Sequence, residues 1–168
     1  MIGLRFDARF RLMTKRDLPT LVRISRENMA HIIRSAWGTE WKDDIVVQAI
    51  TDPDTITEIA TDDDRIFGYY TILRRVDSVF VVSIQILRQF QQRGLGSLMM
   101  TRIEQWGRRN DLGAVELWVQ STNEAAIKFY EHVGYHVACK QGNNYMMRKE
   151  LPDRSEASTR GRHVGTCT

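Results

Sequence analysis

The sequence predicts an α/β (α+β mixed-sheet) fold, with helices on both faces of the sheet. Three observations predict it. Strand-period and helix-period segments alternate in the order β-α-α-β-β-β-α-β-α-β-β. Three strand-like runs follow one another in mid-chain, as in an antiparallel meander. A continuous apolar run, Ala114 to Val119, then stands between two amphipathic helical segments.

The elements follow in chain order. Phe6, Ala8, Phe10 and Leu12 alternate with charged residues, the period of a strand buried on one face. Thr14 and Asp17 have capping-box spacing, and Leu18, Leu21, Val22, Met29, Ile32 and Ile33 recur at helical intervals behind them. A shorter helix opens at Asp43-Asp44 and ends before Asp52-Pro53-Asp54, because proline disfavours helix in the residue before it. Thr55 to Thr61, Ile66 to Arg74 and Val79 to Ile86 are rich in β-branched and aromatic residues and form the meander. A helix runs from Gly96 through Leu98, Met99, Arg102, Ile103 and Trp106 to the stop at Asn110-Asp111-Leu112-Gly113. After the apolar strand, Asn123 caps a helix bearing Ala126, Phe129, Tyr130 and Val133, with Gly134 at its left-handed C-terminal position. Tyr135 to Cys139 and Tyr145 to Lys149 close the fold as a hairpin through Gly142-Asn143-Asn144.

The 168 residues suit one domain, residues 1–151, followed by a polar, aperiodic tail, residues 152–168. A composition of 42% hydrophobic and 27% charged residues is that of a globular protein. No apolar run approaches the roughly 20 residues of a membrane helix, and the N-terminus lacks a secretory pattern, so a cytoplasmic protein without a membrane partner is expected. The net charge of +3 is spread among acids, which argues only weakly for nucleic acid. Cys139 and Cys167 provide neither a disulfide framework nor metal-ligand spacing, and both are expected to be free thiols.

The stretch Gln91-Gln92-Arg93-Gly94-Leu95-Gly96-Ser97 carries the most chemistry, because it joins a Val/Ile-rich strand to an amphipathic helix. Glycines at 94 and 96 let the backbone turn tightly and approach a ligand. The unpaired N–H groups of the helix's first turn then face outward with the positive end of its dipole, a geometry that suits a diphosphate. Gln91 and Arg93 add donors, and Ser97 can cap the helix or reach a phosphate oxygen. A dinucleotide fingerprint would need a third glycine where Met99 stands, and a P-loop would need a Gly-Lys-Ser/Thr triplet that the chain lacks.

Here the chain resembles the GNAT acetyltransferase superfamily. Gln91, Gly94 and Gly96 match its motif A, Gln/Arg-x-x-Gly-x-Gly/Ala. Asn123-Glu124-Ala125-Ala126-Ile127-Lys128-Phe129-Tyr130-Glu131-His132-Val133-Gly134-Tyr135 is similar to its motif B. With the opening Phe10 to Pro19, the likeness covers residues 8–151. It implies a GNAT fold with splayed fourth and fifth strands, and acetyl-CoA as cosubstrate in the gap between them. Main-chain groups of Ile84 and Ile86 would pair with the pantetheine arm, Asn123 would hold that arm, and Tyr130 would act as general acid for the departing thiolate. The donor's acetyl group would pass directly to an amine in a ternary complex, with no metal.

One departure concerns the base. The family often uses a carboxylate near the fourth strand, whereas Val79 to Ile86 offers only Ser83 and Gln85. Glu58 is the first candidate from elsewhere, followed by His31 and Glu27, with a water chain past Ser83 as the alternative. Trp37, Trp41, Glu40, Asp43 and Asp44 would line an acceptor pocket as an aromatic wall with an acidic rim, or the two tryptophans simply pack a short helix. The acceptor is expected to be a small-molecule amine or a protein amine, and a homodimer is compatible with the sequence. The rival readings are a non-catalytic acyl-CoA sensor and a protein N-terminal or lysine acetyltransferase that docks on a macromolecule.

Overall fold

The computed structural model describes residues 8–62 and 65–152. Its elements are β1 (Arg9–Leu12), α1 (Leu18–Trp37), α2 (Asp43–Thr51), β2 (Thr55–Thr61), β3 (Ile66–Arg74) and β4 (Ser78–Ile86). A 3-10 turn (Arg88–Phe90) follows, then α3 (Leu95–Arg109), β5 (Ala114–Gln120), α4 (Glu124–His132), β6 (His136–Gln141) and β7 (Asn144–Glu150). The order matches the one read from the sequence. Phe6, Asp63, Asp64 and the tail from residue 153 lie outside the described residues. The strands form one sheet in the order β1-β2-β3-β4-β5-β7-β6. Antiparallel ladders and the parallel β4–β5 pair make it mixed.

By contacts the chain divides into two compact units. In the first, β1 pairs with β2 and β2 with β3, both antiparallel. Leu21 of α1 and Ile50 of α2 pack on Ile59 and Tyr69, and Met13, Leu18, Val46 and Ile66 close over them. The Thr57 and Thr71 hydroxyls satisfy each other inside the sheet at 2.8 Å. Successive strand residues point to opposite faces, so Ile59 and Tyr69 lie under α1 and α2, while Glu58 and Tyr70 face away from them.

The start of α1 keeps one half of the expected capping box, the Thr14 N–H donating to the Asp17 carboxylate at 2.7 Å. The helix begins after Asp17, whose carboxylate caps no helical N–H. That carboxylate instead accepts two bonds from the Arg11 guanidinium, at 2.8 and 2.9 Å, and bonds from the Thr14 N–H and hydroxyl. The bidentate charged partner adds to the Thr14 bond, while the Asp17 N–H bonds the Thr14 carbonyl at 2.9 Å and not its hydroxyl.

In the second unit, β4 runs parallel to β5 from Ser78↔Ala114 to Val81↔Leu117, and β5 and β6 flank β7 in antiparallel ladders. Gly107 lets α3 lie close: a Cβ there would stand 2.7 Å from the Leu151 side chain and 3.0 Å from that of Val79. Glu104 of α3 is buried and accepts from the Lys149 ammonium at 2.8 Å and from the Tyr135 hydroxyl at 3.3 Å. The same ammonium donates to the Val133 carbonyl at the end of α4, also at 2.8 Å. Cys139 is buried as expected, but it is disulfide-bonded, which corrects the free-thiol reading for this residue. Cys167 lies outside the described residues.

Candidate active site

The glycine-rich junction, in the first unit, holds the candidate cradle. β4 ends at Ile86, and the Leu87 N–H then donates to the Phe67 carbonyl at 2.9 Å. The 3-10 turn places the Phe90 ring against Phe67, with centroids 4.7 Å apart, and so anchors the loop. Beyond it Gln92 and Gly94 take left-handed φ values of 58° and 85°. Glycine adopts that conformation readily, whereas at Gln92 it is a local strain of a kind that gathers at functional sites.

The first helical bond of α3 runs from the Leu98 N–H to the Gly94 carbonyl at 3.0 Å. The N–H groups of Leu95, Gly96 and Ser97 precede it and have no acceptor within the helix. A Cβ on Gly94 would meet nothing within 4 Å, so the space over this helix start is open. Open space, three outward N–H groups and the positive end of a helix suit a diphosphate. Arg93 is exposed and stands 5.9 Å from the Phe90 ring. Gln91 does not point into the open space: its amide donates to the Ile86 carbonyl at 3.0 Å.

The end of β4 carries a polar chain that sequence reading found only in part. Ser25 of α1 donates to the Leu21 carbonyl at 3.0 Å, which commits its single proton. The buried Tyr69 hydroxyl is in close contact with Ser25. Ser83 donates to Tyr69 at 3.5 Å, and Gln85 to Ser83 at 3.5 Å. Asn28 of α1 donates to the Gln85 side-chain carbonyl and to the Ile86 main-chain carbonyl, both at 3.0 Å. Burial pushes the Tyr69 phenol above its ordinary pKa, against the opposing pull of its two serine partners. Ser25 and Asn28 had a signal in the sequence, since they are polar residues at stripe positions of an otherwise apolar helix face.

In the second unit Asn123 caps α4 as expected, accepting from the Ala126 N–H at 3.2 Å through its carbonyl oxygen. Its amide NH₂ is a separate donor pair. Tyr130 is buried, with ring centroids 5.1 Å from Phe129 and 6.0 Å from Tyr135. Desolvation raises its pKa well above the phenol range, so it holds its proton at neutral pH. Gln120, the last residue of β5, has a buried side-chain carbonyl without a hydrogen-bond partner. Nothing in the local sequence marks that orphaned acceptor.

The remaining candidates make the following contacts. Glu58 is half-buried and accepts the Tyr70 hydroxyl, on the sheet face turned away from α1 and α2. The acidic rim beside the tryptophans is largely spoken for. Asp43 pairs with Arg26 and accepts from the Trp41 indole at 2.6 Å, and Glu40 pairs with Arg34 at 2.7 Å. Arg26, and then the indole, hold Asp43 below the usual carboxylate pKa. Trp37 is half-exposed. His31 is exposed, and Glu27 pairs with Arg23 on the surface. Among the described residues no cluster could hold a metal ion.

The sheet order, the parallel pair within it and the glycine-turned start of α3 define a class, that of acetyltransferase folds. The structure is similar to the PaiA N-acetyltransferase of Thermoplasma acidophilum in complex with coenzyme A, with TM-score 0.71 and 15% identity over 86% of this chain and 99% of that one. It is also similar to the ribosomal-protein-S18-alanine N-acetyltransferase of Escherichia coli, with TM-score 0.66 and 16% identity over 90% and 99% of the two chains. The sequence matches the acetyltransferase (GNAT) family over residues 20–135, and the chain belongs to that family. A [Ribosomal protein bS18]-alanine N-acetyltransferase of Salmonella typhimurium is 33% identical over 88 residues, which make up 51% of this chain and 57% of that protein. The match thus spans little more than half the length of the curated relative.

Proposed function

We propose that the protein is an acetyl-CoA-dependent N-acetyltransferase that transfers directly to an amine within a ternary complex. The observation that carries this is the open helix start at Gly94, where three main-chain donors and a missing side chain fit a diphosphate. Acetyl-CoA would supply an acetyl group already activated as a thioester.

The chain's own residues would do the rest. Gly94, Leu95, Gly96 and Ser97 grip the diphosphate through main-chain donors, with Gln92 and Arg93 at its edge. Gln91 joins them if it leaves the Ile86 carbonyl. Main-chain groups of Ile84 and Ile86 hold the pantetheine arm and, as the family resemblance implies, so does the Asn123 amide. Tyr130, kept neutral by burial, gives a proton to the leaving thiolate as the new C–N bond forms and the C–S bond breaks. The proton lost by the amine goes to solvent along Ser83, or through solvent to Glu58.

A protein α-amine is the acceptor class favoured by the alanine N-acetyltransferase relative. A small-molecule amine is the other. The test is release of free thiol from acetyl-CoA across three panels: small amines, peptides with free N-termini, and lysine peptides with blocked N-termini. Release that depends on an amine is expected. Binding of acetyl-CoA without release in any panel would replace the enzyme with a sensor.

A further inference from the structure

We propose that Asn28 is a positioning residue for acyl transfer, fixing the peptide at the end of β4 that receives the acyl end of the cosubstrate. The inference rests on the acetyltransferase reading above and assigns a role to a residue on α1, outside both sequence motifs.

The geometry is specific. A carbonyl oxygen has two lone pairs, and those of Ile86 are both taken, one by Asn28 and one by Gln91, each at 3.0 Å. The two donors differ in what else they do. Asn28 also donates to the Gln85 side chain at 3.0 Å, so it orients the head of the chain that runs through Ser83 and Tyr69 to Ser25. It is half-buried on a helix that is itself anchored by Leu21 and Ile24, both fully buried. Gln91 is exposed on a loop beside the helix start and can turn to a phosphate.

Asn28 is therefore the permanent holder of the Ile86 carbonyl and Gln91 the exchangeable one. When Gln91 leaves, one lone pair becomes free for an amide of the pantetheine arm. The peptide plane stays fixed, because Asn28 still holds the other lone pair.

The test compares two ligands. ADP probes the diphosphate cradle alone, and acetyl-CoA probes the cradle together with the β4 peptide. Asn28→Asp keeps the shape of the side chain but sets a carboxylate against two carbonyl oxygens. It should lower acetyl-CoA affinity and kcat by about tenfold each while ADP affinity stays at the wild-type value. Asn28→Ala deletes the donors without adding charge and carries the same test if the aspartate variant does not fold. Thermal melting checks both.

Wild-type acetyl-CoA affinity and kcat in a folded variant would overturn the proposal. So would equal losses for ADP and acetyl-CoA, the mark of a merely structural role. Calorimetric binding is measured without an acceptor, so an enzyme that shows no thiol release with any amine refutes the transferase reading while the binding comparison still tests Asn28.

Discussion

At the scale of single residues, the open space over Gly94 and its left-handed φ separate binding from folding. Gly94→Val meets no neighbour, and its cost to the fold is the backbone penalty of about 1–2 kcal/mol for a side chain in that region. The branched side chain would fill the space proposed for the diphosphate. Calorimetry should therefore show coenzyme A affinity falling at least tenfold, roughly the equivalent of 1.4 kcal/mol, with a folded protein by circular dichroism. Tyr130→Phe removes one hydroxyl from a buried ring and should lower kcat more than it weakens acetyl-CoA binding; unchanged kcat would end its role as acid. Gly94 was legible in the sequence because glycine spacing reports backbone conformation directly. The buried Gln120 carbonyl and the pairing of Asn28 with Ile86 were not, because the burial of one atom and a bond between distant elements leave no local pattern.

At the scale of elements, α1 shows where local rules yield. Thr14 and Asp17 have the spacing of a capping box, and the Asp17 carboxylate accepts the Thr14 N–H accordingly, but it also takes both arms of Arg11 of β1. Arg11, with help from Thr14, holds Asp17 well below its usual pKa of 3.8 despite its burial. A depressed carboxylate contributes stability that is complete above the unfolded pKa and fades as pH falls through the folded one. Asp17→Asn should therefore destabilise the protein at pH 7, by about 1–3 kcal/mol for a charged hydrogen bond. Urea titrations should show the gap to wild type narrowing only below about pH 4. The strands of the meander were read to within a residue, since their β-branched runs are bounded by polar clusters. The Arg11 pairing was not legible, because its partner lies on a different element from the helix it anchors.

At the scale of the whole molecule, element order and sheet composition were legible from the two periodicities alone, and two motifs in the right order identified the family. The acceptor was not, because residues expected to form an acidic rim are tied to Arg26 and Arg34, and such pairing depends on the packing of α1 against the segment after it. If the folded chain alone binds the cosubstrate, acetyl-CoA at about one hundred times its Kd should add about 2.7 kcal/mol of stability. Differential scanning fluorimetry would register this as a rise in Tm of several degrees, and an unmoved Tm would count against binding. The saturated Ile86 oxygen adds a consequence for energetics. An incoming amide would swap places with the glutamine already there, so the enthalpy gained at that atom is close to nil. Any net gain would come from the liberated side chain's recovered rotamers and from water released along the strand, which would make the end of β4 an entropic contributor and leave the enthalpy to the phosphates.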